Sequence, residues 1–214
     1  MTKFPLPFLL IALAGSAPAA PVPDEAKAPV MFFPTTPVTW VYECHGAGNE
    51  PVREVVRAVT AVTEQGGAKV VAIGTVEGRW VTSGAGAMAV SSRGLVSGYM
   101  TRSGGFDPDA TLLRTPAVAG ERWTVVRRTS GGVQETRFTT RGPEEVVVPA
   151  GRFQAVAVDI SCVVEGGPSW RERAWFAPGV GVVRWDFDHG RFHVLKRLIR
   201  GTQWEIALPR EVQP

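Results

Sequence analysis

The stretch from 146 to 184 constrains the fold most, because three short apolar runs in it are separated by turn sequences. The turns are Val-Pro-Ala-Gly at 148–151, Glu-Gly-Gly-Pro at 165–168 and Ala-Pro-Gly-Val-Gly at 177–181. Pro149 presets φ for a turn that ends at Gly151, and Pro178-Gly179 suits the two central positions of a type II turn. The segment therefore predicts consecutive antiparallel strands.

The same pattern of short apolar runs separated by turn sequences extends over the rest of the chain. From Val38 onward, apolar runs recur at intervals typical of an all-β domain and are separated by Gly-rich turns. The 24 glycines and 17 prolines make 41 of the 214 residues, which leaves little room for long helices. We predict an all-β antiparallel meander of about nine to eleven strands that forms a curved sheet, half-barrel or barrel, with little helix.

Three hairpins can be placed individually. The valines between Val52 and Val62 also fit a helical stripe, but the richness in Val and Thr and the following Gly66-Gly67 favour a hairpin. A two-residue turn at 131–132 pairs Val125 with Phe138. A second such turn, at 189–190, places Trp185 opposite Val194, and therefore Asp186 opposite His193.

The chain divides into four predicted parts. Residues 1–19 have the charge, apolar stretch and Ala17-Pro18-Ala19 site of a signal peptide that is cleaved after Ala19. Residues 20–36 form a Pro/Ala-rich lead-in arm, 37–208 a single β domain and 209–214 a C-terminal tail. The protein is then exported to the periplasm or the outside of the cell, with no transmembrane span left after cleavage.

Charge and motifs limit the function classes. The net charge is +3, and basic and acidic residues are interspersed, so no nucleic-acid partner is expected. The sequence has no nucleophile elbow, no phosphate loop and no cluster of metal ligands, so we assign no cofactor, no metal and no catalytic residue.

Two cysteines, Cys44 and Cys162, fall on the apolar positions of their predicted strands. They can form a disulfide if the two strands meet, and an exported protein favours that outcome. The alternative is two separate buried thiols that act as small hydrophobic groups.

Two sets of polar residues are candidates for hydrolytic chemistry. Asp186 and His193 form an Asp-His pair in the predicted hairpin, which more often is a surface ion pair. Asp107 and Asp109 lie in a Gly-rich loop, where aspartates usually form the turn itself.

Tryptophans are the stronger indication of a site. Seven occur, in or beside predicted strands. Trp170 and Trp175 differ in parity, so a regular strand places them on opposite faces. Trp170, Trp175 and Trp185 are our candidates for an aromatic surface that binds a ligand, with ordinary core packing as the alternative.

Three segments carry a family resemblance, and each contains a fixed turn pattern. They are Pro116-x-x-x-Gly120-x-x-Trp123, then Pro149-Ala150-Gly151-x-Phe153, then Trp175-x-Ala177-Pro178-Gly179-Val180-Gly181. Their order resembles uncharacterised exported bacterial β-proteins, whose fold is similar to that of LolA/LppX-like lipoprotein carriers. The resemblance implies a curved antiparallel sheet and an envelope or lipid-related role, and it implies no catalytic residues.

Three hypotheses for the function follow. The first is an exported non-catalytic protein that binds a lipid-like apolar ligand or an envelope protein on the concave face of its sheet. The second is a structural or protein-interaction module without a small-molecule ligand. The third is a hydrolase that uses Asp186 and His193.

Overall fold

A computed structural model describes residues 30–48, 50–77, 80–97, 110–129 and 132–201. Twelve strands lie in these ranges. Their bounds are β1 Val38–His45, β2 Arg53–Gln65, β3 Ala68–Glu77, β4 Trp80–Ser91, β5 Gly94–Ser97, β6 Thr111–Arg114, β7 Arg122–Thr129, β8 Gly132–Val148, β9 Gly151–Val164, β10 Ser169–Ala177, β11 Gly181–Asp186 and β12 Phe192–Arg200. A 3₁₀ turn spans Asp188–Gly190.

All twelve strands belong to one antiparallel sheet, so the predicted all-β class is confirmed and the predicted number of strands is too low. The strand order is β6-β5-β4-β3-β2-β1-β12-β11-β10-β9-β8-β7, which is a meander in two halves joined where β1 pairs with β12. The ladder does not close, because β6 and β7 form its two edges. Of the three predicted forms, a curved sheet, a half-barrel or a barrel, the closed barrel is therefore wrong, because the sheet remains open.

The two edge strands lie close together in space although they do not pair. The indole Nε1 of Trp123 on β7 donates a hydrogen bond of 2.9 Å to the carbonyl of Thr111 on β6. Arg114 and Glu121 form a salt bridge of 3.2 Å nearby. Since β6 and β7 are at opposite ends of the strand order, these contacts require the sheet to curve through a large angle.

The concave side of this curve holds most of the core. Trp40 on β1 is 2% exposed, and its Nε1 donates a hydrogen bond of 2.7 Å to the carbonyl of Val180 just before β11. The hydroxyl of Tyr42 donates one of 2.9 Å to the carbonyl of Val182. Both bonds reach over β12, which lies between β1 and β11 in the sheet. These side chains therefore fix the curvature from the inside.

The convex side is covered at one place by the end of the β8–β9 hairpin. A register shift after Thr140 bends this hairpin, and the amide of Ala150 at its tip donates a hydrogen bond of 3.0 Å to the carbonyl of Leu195 on β12. Val146 and Val148 are buried beneath the tip. A second, smaller apolar layer thus forms on the outer face.

Several predicted turns are confirmed. Gln65 pairs with Ala68, so the segment after Val52 is a hairpin and not a helix. Val148 pairs with Gly151 around Pro149. The amide of Val180 donates a hydrogen bond of 3.1 Å to the carbonyl of Ala177, and Gly179 has φ of +67°, as a type II turn requires.

Two predicted registers are wrong. On β7 and β8, Phe138 pairs with Trp123 and not with Val125, a shift of two residues that keeps the same side chains on each face. In the last hairpin, Trp185 pairs with His193 and not with Val194. His189 and Gly190 do have positive φ, but they belong to a loop of three residues closed by a 2.8 Å bond from the amide of Phe187 to the carbonyl of Arg191.

The end of the predicted lead-in arm packs against the sheet. Phe33 is 5% exposed, and its ring lies 5.3 Å from that of Trp40. A Cβ on Gly181 would come within 3.0 Å of the Phe33 ring, so glycine allows the arm to approach β11.

The predicted signal peptide, the C-terminal tail and the Asp107/Asp109 loop lie outside the described residues. Among the described residues, we find no helix long and apolar enough to cross a membrane.

Candidate functional site

A small cavity lies on the concave face where the two halves of the sheet join. Its volume is about 60 Å³. Strands β1 to β4 form one wall, β11 and β12 the other, and the lead-in arm contributes one side chain. The lining residues are Phe33, Trp40, Tyr42, Cys44, Val55, Arg57, Ile73, Met88, Val182, Trp185 and His193.

Strand alternation explains this lining. Trp40, Tyr42 and Cys44 occupy every second position of β1, so their side chains share one face. The register continues that face onto both neighbours, because Tyr42 pairs with Val55 on β2 and Cys44 pairs with His193 on β12. His193 in turn pairs with Trp185 on β11. One continuous surface therefore runs over four strands.

Four polar groups interrupt this apolar surface, namely Arg57, Tyr42, Cys44 and His193. Arg57 pairs with Trp40 across β1 and β2, and no salt bridge joins its guanidinium to an acidic side chain among the described residues. Burial raises the pKa of Tyr42 far above its ordinary value, and burial also raises the pKa of Cys44, while the positive charge of Arg57 opposes both shifts. The guanidinium is thus close enough to act on both groups.

The fourth polar group is His193. Burial lowers the pKa of its imidazole, and the positive charges of Arg57 and Arg191 lower it further. These two arginines come from β2 and from the β11–β12 loop. The site thus concentrates positive charge beside the apolar cavity.

A wider recess opens next to the cavity. It has a volume of about 410 Å³ and shares Cys44 and His193 with the cavity, so the two spaces adjoin. Its lining residues are Cys44, His45, Gly46, Glu50, Pro51, Arg53, Phe187, Arg191 and His193. The stacked rings of His45 and Phe192, 4.2 Å apart, hold one imidazole of this region in place. The recess is more polar and more cationic than the cavity.

The three candidate tryptophans lie in three different surroundings. Trp185 is in the cavity wall, and its Nε1 donates a hydrogen bond of 3.0 Å to the carboxylate of Glu172, whose pKa is raised mainly by burial. Trp170 pairs with Cys162 on the same concave face, but it is not part of the cavity lining. Trp175 faces the other side of β10, as the parity predicted.

The surroundings of Trp175 are those of a packed side chain. It is 7% exposed and donates a hydrogen bond to Glu144 of the bent β8–β9 hairpin. The guanidinium groups of Arg173 and Arg184 lie over its ring, at 5.8 and 5.2 Å from the centroid. This tryptophan fastens the hairpin to the convex face and is separate from the cavity.

Asp186 and His193 do not form the predicted pair. Asp186 pairs with Phe192, so the one-residue difference in register turns its side chain to the face opposite that of His193. Its carboxylate accepts two hydrogen bonds from Arg184, of 2.7 and 2.9 Å. The arrangement is a structural ion pair on the convex face.

The predicted disulfide is also wrong, because both Cys44 and Cys162 are free thiols. Cys44 lies on β1 and Cys162 on β9, with β12, β11 and β10 between them in the sheet. Four ladder steps of about 4.8 Å each far exceed the Cα separation of about 4–7 Å that a disulfide allows. The hydroxyl of Thr136 contacts the sulfur of Cys162 at 3.5 Å.

Sequence reasoning missed Arg57. The signal was present, since Arg57 has the same parity as Val55 and Val59 and therefore lies on the inward face of β2.

Among the described residues, no group of three His, Cys, Asp or Glu side chains could hold a metal ion.

Comparison with known proteins supports the fold and goes no further. No protein-family model and no curated protein matches the chain. One similar solved structure is described as a "putative exported protein with YmcC-like fold" from Bacteroides fragilis NCTC 9343, with 16% identity and a TM-score of 0.52. Another is described as a "putative lipoprotein" from Parabacteroides distasonis ATCC 8503, with 13% identity and a TM-score of 0.47.

Each match covers 80% of this chain and 100% of the solved chain. The likeness to the Bacteroides fragilis structure, at 16% identity, establishes a shared sheet architecture only. The resemblance to LolA/LppX-like carriers and the turn-based sequence pattern receive no support from these matches.

Proposed function

We propose that this protein works in the cell envelope as a non-catalytic binding protein that takes a lipid-like ligand on the concave face of its sheet. The observation that carries the proposal is the apolar cavity beneath Trp40, Val55 and Trp185, which opens beside a wider recess. Curved antiparallel sheets commonly bind small hydrophobic molecules in this position.

The size of the cavity defines how a ligand would enter. Its volume of about 60 Å³ accommodates only the end of an acyl chain. A longer chain would displace side chains at the wall, and Met88 is suited to this movement because an unbranched thioether adapts its shape readily. The remainder of the ligand would occupy the adjoining recess of about 410 Å³.

Export is supported by two independent features. The first 19 residues have the composition of a signal peptide, and the similar protein from Bacteroides fragilis is described as exported. An envelope protein meets lipids and their degradation products, so a lipid-like ligand fits this location. Fractionation of cells that express the chain with a C-terminal tag would place it in the periplasm, the outer surface or the medium; recovery in the cytoplasm would contradict export.

The binding proposal is tested by calorimetric titration of the purified protein with dodecan-1-ol and with dodecanoate. Val55→Asp places a charge in the cavity wall and should abolish binding of either ligand. Val126→Asp is the matched control, because Val126 is 60% exposed on the convex face of β7. Absence of heat with the unsubstituted protein, or equal binding by both variants, would refute the proposal; circular dichroism establishes that each variant is folded.

The open ladder favours a second candidate function, that of a protein-interaction module. Because β6 and β7 are edge strands, an extended segment of a partner can add to the sheet by main-chain hydrogen bonds. This function requires a partner that protects the amides of β7 from hydrogen exchange. Cross-linking in intact cells followed by mass spectrometry would test it, and a partner that attaches elsewhere would contradict this mode of binding.

A further inference from the structure

The concave site combines an apolar cavity with a cationic mouth. Arg57 is the arginine that lines the cavity, and Arg53 and Arg191 line the adjoining recess. His193 lines both spaces, and His45 lines the recess from the end of β1, where it also lies 3.7 Å from Glu43. These groups come from three separate parts of the sheet, and the register brings them to one opening.

Arginines outnumber carboxylates in the lining of this mouth. Glu50 is the one acidic residue among the described residues that line the cavity and the recess, against Arg53, Arg57 and Arg191. Glu172 and Asp188 lie outside this lining, where Glu172 accepts the hydrogen bond from Trp185 and the charge of Arg191 acts on it. No salt bridge joins Glu50 or Glu172 to these arginines in the described part of the chain. The charged groups that are paired, such as Lys196 with Glu43 and Glu54, lie on the opposite face of β12.

Arg57 also occupies a position where a packed sheet would normally hold an apolar residue. It alternates with Val55 and Val59 on the inward face of β2 and lies across from Trp40, which is 2% exposed. An arginine stem can cover apolar surface while its guanidinium points toward water. Here that arrangement places a positive charge at the boundary between the cavity and the recess.

We infer that the ligand of the concave site is an amphiphile with a single anionic head group and one acyl chain, in the manner of a fatty-acid anion. Its carboxylate would lie against Arg57 in the mouth, where a planar guanidinium can donate two hydrogen bonds, and its chain would enter the cavity. This inference rests on the proposed binding function, to which it adds the head-group chemistry.

The test compares two ligands of equal chain length that differ only in the head group. Dodecanoate and dodecan-1-ol are titrated into the protein and into Arg57→Met, a variant that keeps an unbranched apolar stem. We expect the protein to bind dodecanoate roughly tenfold more tightly than dodecan-1-ol, as is typical of one hydrogen-bonded charge pair at a partly exposed site. Arg57→Met should remove that preference, so that the variant binds dodecanoate and dodecan-1-ol with equal affinity.

The matched control is Arg197→Met, because Arg197 is exposed on β12 and pairs with Val41 on the other face. This variant should keep the preference for dodecanoate. Equal affinity for both ligands in the unsubstituted protein, or a preference that survives Arg57→Met, would overturn the head-group inference while the proposed binding function stands. If neither ligand binds to the unsubstituted protein, the binding function and the inference fail together.

Discussion

The substitution Trp40→Phe tests the physical reason for the curvature of the sheet. Phenylalanine keeps an aromatic ring against Phe33 but removes the indole N–H that bonds to the carbonyl of Val180 at 2.7 Å. Val180 is 6% exposed, so water cannot readily replace the lost donor. The variant should therefore be clearly less stable than the parent protein.

The expected loss in the free energy of unfolding of Trp40→Phe has two contributions. A buried carbonyl that loses its donor costs about 1–3 kcal/mol. The phenyl ring has three fewer ring atoms than indole, and the void that they leave costs about 1 kcal/mol at about 24 cal/mol per Å³. We expect the free energy of unfolding to fall by about 2–4 kcal/mol. For a domain of this size, that lowers the melting temperature by roughly 5–12 °C.

Urea denaturation followed by far-ultraviolet circular dichroism at pH 7 measures this change without depending on tryptophan fluorescence. Tyr42→Phe is the matched comparison, because it removes only the hydroxyl bond to Val182 and should cost about 0.5–1.5 kcal/mol. A loss below 1 kcal/mol for Trp40→Phe, or a loss equal to that of Tyr42→Phe, would refute the idea that the indole bond holds β1 over β11.

Three further predictions concern charge and thiols. Burial raises the pKa of Asp159, but hydrogen bonds from its two arginine partners outweigh this and lower it. The stabilisation is therefore present at pH 7 and decreases as the pH falls below 4 toward the lowered pKa. Asp159→Asn should cost about 1 kcal/mol at pH 7 and progressively less in acid, measured by urea denaturation over a series of pH values. In Arg57→Met the imidazole pKa of His193 should rise, as followed by NMR titration, and an unchanged value would show that the guanidinium lies elsewhere. Without reductant, native protein should react with iodoacetamide at Cys44 before Cys162, which is 1% exposed, and a mass 2 Da below that of two thiols would contradict both free cysteines.

Local features of the fold could be predicted because they depend on neighbouring residues. Period-two alternation identified the strands, and the positive φ of Gly179 follows from the Pro-Gly sequence alone. The opposite orientation of Trp170 and Trp175 needed only their parity within one regular strand.

Features that depend on distant residues could not be predicted in this way. Turn residues allowed both a two-residue and a three-residue loop at His189, and the longer loop moved Asp186 away from His193. The separation of Cys44 from Cys162 follows from the strand order, which places β12 beside β1. No local pattern specifies that pairing, because it is fixed by contacts between the two ends of the domain.

The candidate site shows the same division. Trp185 was identified from its strand, but its place in the cavity wall depends on the pairing of β11, β12 and β1. The surroundings of Trp175 depend on the bend of the β8–β9 hairpin, which brings Glu144 to its indole N–H on the convex face, and the sequence of β10 alone does not specify this bend. The position of Arg57 beside the cavity could be recognised only from the structure, because the apolar surface around it comes from the neighbouring strands.

The most direct test of the account is the position of a bound chain relative to the two faces of the sheet. A fatty acid with a nitroxide near the end of its chain broadens the NMR signals of nearby protons. We predict that the indole N–H signal of Trp185, in the cavity wall, broadens more strongly on addition of this ligand than the signal of Trp175, on the convex face of the neighbouring strand. Broadening of Trp175 with Trp185 unaffected, or equal broadening of both, would contradict a ligand site on the concave face.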